Sequence, residues 1–93
     1  MRQLAQAVPA ALIELLRGTP LSDGKVSFAW RTAVGPALER STTTRLEGRV
    51  LVVETAGAQW TREIERSSDV ILDRVRSLLG GSVVARLDVR TKS

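Results

Sequence analysis

Apolar residues recur at helical spacing from Val8 to Arg17, with Val8, Ala11, Leu12, Leu15 and Leu16 on one side. Pro9 suits the first turn of that helix and Gly18 its C-terminal cap, and Gly18-Thr19-Pro20 then breaks the chain. A second helix is expected from Ser22, a good N-cap, with Asp23 in the first turn. Its apolar stripe is Val26, Ala29, Trp30, Ala33 and Val34. Gly35-Pro36 stops or kinks it, and Pro36 to Arg40 can add one more turn.

The period then changes from helix to strand. Thr42 to Leu46 and Arg49 to Thr55 are dense in β-branched residues and flank Glu47-Gly48, which reads as a two-residue hairpin turn with positive φ at Gly48. That register pairs Arg45 with Val50, Thr44 with Leu51 and Thr43 with Val52. Leu51 and Val53 share one face, and Val50, Val52 and Glu54 the other. Ala56 to Leu79 reads as one long helix, with Trp60, Ile64, Ile71, Val75 and Leu78 on its apolar side and a serine, Ser67 or Ser68, filling the gap. Gly80-Gly81 ends it. Ser82 to Arg90 reads as a third strand, with Val83, Ala85, Leu87 and Val89 facing one way and Val84, Arg86, Asp88 and Arg90 the other.

The expected order is α-α-β-β-α-β, an α+β domain with helices on one face of a three-stranded sheet. The Leu51, Val53, Leu87 and Val89 face is the covered one, and Trp30 and Trp60 belong to the same core. Residues 1–93 form a single domain in this reading, with 1–18 an N-terminal helix and 91–93 a short tail.

Composition narrows the chemistry. The chain has 93 residues, no cysteine and no histidine. Disulfides, zinc ribbons and thiol nucleophiles are excluded, as are histidine general bases and most transition-metal sites. No nucleophile with an adjacent base can be assembled, and Glu63 and Glu65, two apart on a helix, do not face each other. No catalytic residue, cofactor, metal or small-molecule substrate is therefore expected. No apolar run is long enough to span a bilayer, and Met1 to Leu16 lacks the layout of a signal peptide. The expected location is cytoplasmic and nucleoid-associated, away from membranes.

The formal net charge is +4, and all cations but Lys25 and Lys92 are arginines. Arginine suits phosphate and interface pairing. Residues 1–48 carry six cations and four anions and residues 49–93 carry eight and six, so each half is +2 and only the fold can gather a basic patch. Arg45, Arg86 and Arg90 fall on the uncovered sheet face beside Val50 and Val52 and are the candidate nucleic-acid contacts. The long helix offers Arg62, Arg66 and Asp69 as a candidate partner surface.

The run Trp30-Arg-Thr-Ala-Val34-Gly35-Pro36-Ala-Leu38, then Gly48-Arg-Val-Leu51-Val-Val53, then Trp60-x-x-Glu63-Ile64 resembles the DciA family of bacterial proteins linked to the replicative DNA helicase. The resemblance covers about Val26 to Val89. It implies a KH-like domain that contacts a DnaB-type helicase and single-stranded DNA. The chain departs from the KH pattern in lacking a G-x-x-G loop, the backbone clamp of such domains, and it ends at Thr91-Lys92-Ser93 with no basic extension. Weak single-stranded DNA binding is accordingly expected.

The leading reading is thus a non-enzymatic accessory factor of the replicative helicase. A KH-like RNA-binding module acting on structured RNA or ribosomal particles is the alternative. An oligomerisation domain using Val50 and Val52 is a third.

Overall fold

The computed structural model of the chain describes residues 9–92. At its centre is β2 (Val50–Thr55), flanked by β1 (Thr42–Glu47) and β3 (Arg86–Thr91) in a sheet of order β1-β2-β3. β1 runs antiparallel to β2, and β3 runs parallel to it. A parallel neighbour requires a crossover. Here α4 (Ala58–Arg66) and α5 (Ser68–Leu79) supply it. Before the sheet come α1 (Ala10–Arg17), α2 (Asp23–Val34) and the short α3 (Pro36–Arg40). The fold is α+β and KH-like, with its helices packed against the Leu51/Val53 side of a mixed sheet. The share of the expected N-terminal helix that falls on residues 1–8 lies outside the described residues.

Local chemistry sets these boundaries. The Ser22 hydroxyl accepts a hydrogen bond from the Lys25 amide at 3.1 Å and caps α2. Gly35, at φ 86°, closes α2 and hands over to Pro36, which opens α3. Trp30 is 2% exposed and anchors the core from α2. Its indole N–H donates to the Thr42 hydroxyl at 2.8 Å, and that hydroxyl donates to the Leu38 carbonyl at 2.8 Å. A buried indole N–H needs such a partner, and here the partner is the first residue of β1. Leu51, Val53, Ile64, Ile71 and Val75 complete the centre of the core.

The structure departs from the sequence reading in several places. The single long helix is two, broken at Ser67 (φ −111°, ψ 19°). Ser67 and Ser68 are poor helix-interior residues because their hydroxyls compete for backbone hydrogen bonds. Ile64 before the break and Ile71 after it both lie in the core. Trp60 and Leu87 lie at the margin of that core, half-buried against it, while Leu51, Val53 and Trp30 are fully inside. β3 starts at Arg86, later than Ser82, because Gly80 takes φ 108° and the Val83 amide closes a turn onto the Gly80 carbonyl. Val84 is then free of strand alternation and is wholly buried in the helix-side core.

The hairpin turn is Gly48-Arg49, with Glu47 opposite Val50 and Arg45 opposite Val52. Gly48, at φ 61°, therefore occupies the first central position of the turn, where a type II′ hairpin requires glycine. The register differs from the expected one by two residues, an even number, so every strand side chain keeps its expected face.

Two outcomes follow for stability. Trp30→Ala should cost about 3–5 kcal/mol in denaturant unfolding, and Trp60→Ala distinctly less. Equal losses would contradict this placement of the two rings. Gly48→Val should lower the melting temperature because a β-branched residue is strained at positive φ, whereas Arg49→Asn, at the other turn position, should leave it nearly unchanged.

Candidate nucleic-acid interface

Strand alternation and register fix the sheet face turned away from the helices. Cross-strand partners point the same way, and successive rows are two residues apart. The rows are Glu47, Val50 and Arg86; then Arg45, Val52 and Asp88; then Thr43, Glu54 and Arg90. Arg45, Arg86 and Arg90 therefore do share one face.

They are not alone there. Each row carries one arginine and one carboxylate, so the six formal charges cancel. Arg45 pairs with Glu47 through its Nε and with Glu54 through Nη1 at 3.7 Å. Arg90 holds Asp88 in a two-pronged contact, Nη2 at 2.7 Å and Nε at 3.1 Å. Arg86 has no ion pair within reach among the described residues. Val52, in the middle of the grid, is 1% exposed although no helix covers it. The aliphatic stems of the surrounding charged side chains close over it.

The network leaves its mark on protonation. The Arg45 guanidinium donates to the Glu47 carboxylate and holds it below its ordinary pKa. The hydrogen bonds from Arg90 do the same for Asp88, and Asp88 in turn raises Arg90. These carboxylates stay ionised and keep competing with any incoming anion for the same arginines.

The candidate partner residues lie elsewhere. Arg62 and Arg66 are exposed one turn apart on α4, and Arg66 approaches Glu63 at 3.4 Å. Asp69 is exposed in the first turn of α5. The Ser67 break separates them, so the three flank a corner between two helices and do not share one helical face. Of the aromatics, Trp30 is buried with its indole N–H already engaged and is closed to base stacking. Gly80 caps α5, its amide donating to the Arg76 carbonyl at 2.8 Å.

The sequence reading places Glu54 and Asp88 on this face; it leaves out Glu47, which it assigns to the turn, and the pairing of these carboxylates with the arginines. Their signal is Arg45-x-Glu47 and Asp88-x-Arg90, because residues two apart on a strand lie side by side on one face.

A family model described as "Dna[CI] antecedent, DciA" matches residues 2–89. No curated protein matches the chain.

The ion pairs predict an acid response. A carboxylate whose folded pKa is depressed stabilises the fold above its unfolded pKa, and that contribution is lost as pH falls through the folded value. Between about pH 5 and about pH 2, the melting temperature of wild type should fall more steeply than that of a Glu47→Gln, Asp88→Asn double variant. Parallel curves would show that neither pair stabilises the fold.

Proposed function

The chain belongs to the DciA family, and on that footing we propose that it is a non-enzymatic DNA-replication accessory protein that binds a DnaB-type replicative helicase and assists its loading or activity on single-stranded DNA. The observation that carries this reading is the family match over residues 2–89 of the 93, since the family is of the helicase-loader type. The protein acts in the cytoplasm, at the nucleoid, through two surfaces. The corner at Arg62, Arg66 and Asp69 meets the helicase. The sheet face with Arg45, Arg86 and Arg90 meets DNA weakly, because Arg45 and Arg90 must leave carboxylates to reach phosphates.

Purified helicase from the same organism, passed over the immobilised protein, tests the partner. Retention of the helicase is expected, and Arg62→Glu, Arg66→Glu should abolish it. Labelled single-stranded DNA tests the second surface. Replacing Arg45, Arg86 and Arg90 by Glu shifts the face from zero to −6, since each change reverses one charge. DNA binding should disappear while helicase retention persists and the melting temperature stays near that of wild type. Failure to retain helicase, with capture of ribosomal particles or RNA in its place, would replace this reading by that of an RNA-binding module.

A further inference from the structure

The arginines of the sheet face are largely matched by carboxylates, but at one end of the molecule a different set is not. Helix α1 packs on α5 and brings Arg17 to the end of α5, where its Nε donates to the Ser77 carbonyl at 3.2 Å. Arg76 lies one residue before Ser77, and its Nη2 is 3.4 Å from where a Cβ on Gly81 would stand. Arg49, in the hairpin turn, donates from Nε to the Ser82 carbonyl at 3.1 Å, while its own carbonyl accepts from the Ala85 amide. Arg86 follows at once, opposite Val50. Arg17, Arg76, Arg49 and Arg86 thus line the loop between α5 and β3 in sequence.

All four are exposed, and none forms an ion pair among the described residues. The nearest acids along the same helices, Glu14 and Asp73, each stand one turn back and outside ion-pair distance. One reason for such an arrangement is internal: cations beside the last carbonyls of α5 complement its dipole. That accounts for a single contact each. Among the described residues Arg17 and Arg49 each commit only Nε–H, which leaves the paired Nη donors of a planar fork for a ligand. Such forks match phosphate oxygens in bidentate geometry.

The chemistry favours a polyanion over a protein. A protein interface needs an apolar or aromatic anchor at its centre. None of the exposed large hydrophobics, Leu15, Leu21, Phe28 and Val70, belongs to the α5–β3 loop, and Leu15 is two residues from Arg17 on α1 and so on another side of the helix. We propose that Arg17, Arg49 and Arg76 around the α5–β3 loop bind the phosphodiester backbone of nucleic acid, without reading its sequence. The site continues the sheet-face surface through Arg86 and rests on the DNA-binding part of the function proposed above.

Binding of a labelled oligo-dT and of a duplex of equal length, measured by anisotropy across a salt titration, tests it on the full chain. Arg17→Gln, Arg49→Gln, Arg76→Gln should flatten the log–log salt slope by about 2 units on the single strand, at about 0.7 per lost contact, and by somewhat more on the duplex. A slope lost on one substrate or on both identifies which phosphates the site holds. The corresponding lysine variant should keep most of the slope. Should the triple glutamine variant fail to fold, Arg49→Gln alone should still lower the slope by about 0.7. A folded variant with wild-type slopes on both substrates overturns the inference and leaves the proposed function standing. Wild type that binds neither substrate, while still retaining helicase, overturns both this site and the DNA-binding part of that function. A variant that keeps its slopes but loses helicase would assign the arginines to an acidic protein surface instead.

Discussion

The structure depends on burying β2 from both sides. Leu51 and Val53 enter the helical core on one face, and Val52 is 1% exposed on the other. A strand buried on both faces must be central, so it needs a neighbour on each edge. The tight turn at Gly48-Arg49 supplies β1 as an antiparallel neighbour. The other edge takes a parallel strand, and the crossover that this demands is the α4–α5 pair that also covers the Leu51/Val53 face. Trp30 ties the remaining helices to the same sheet, because its indole N–H is bound to the first residue of β1.

The same requirement explains the charge pattern outside. Val52 has no helix above it, so charged neighbours must shield it from water. Six side chains of one sign could not lie so close together, because like charges directly across a ladder repel. Alternation of Arg45, Arg86 and Arg90 with Glu47, Glu54 and Asp88 lets long stems cover a valine while their heads pair in solvent. Exposed pairs of this kind add little stability one by one. Their larger consequence is that the face has almost no net field.

Period and parity were the legible part of the sequence. Helical spacing located α2 and the apolar sides of α4 and α5, and strand alternation assigned the faces of β1 and β2 correctly despite a register displaced by two, since an even displacement conserves parity. What depended on three-dimensional competition was not legible. The apolar stripe runs through Ser67 with only a gap, and that spacing is the same whether the helix continues or breaks there. Val84 fits strand alternation on paper, but the turn after Gly80 swings it inward. Both tryptophans are expected in the core, but only Trp30, mid-helix over β1, is fully inside, whereas Trp60 stands in the first turn of α4 at the rim. Arg45, Arg86 and Arg90 share the expected face with Glu54 and Asp88, and the register adds Glu47, which the sequence reading leaves in the turn.

Sequence halves of equal charge conceal how the fold distributes a net +4. The sheet face takes three arginines and three carboxylates and cancels. Part of the surplus lies at the ends of elements, where Arg17 and Arg49 find backbone carbonyls as acceptors. Ser77 and Ser82 are such acceptors, and carbonyls engage a guanidinium without neutralising it. A protein built this way holds anions at its rim more readily than on its broad face. For a factor proposed to work beside a helicase, that division has a use. Phosphate contacts at the α5–β3 end are separated from the α4–α5 corner by the stretch of α5 from Asp69 to Arg76, about 10 Å at the rise of an α-helix. On the proposed assignment, strand and partner protein meet different side chains.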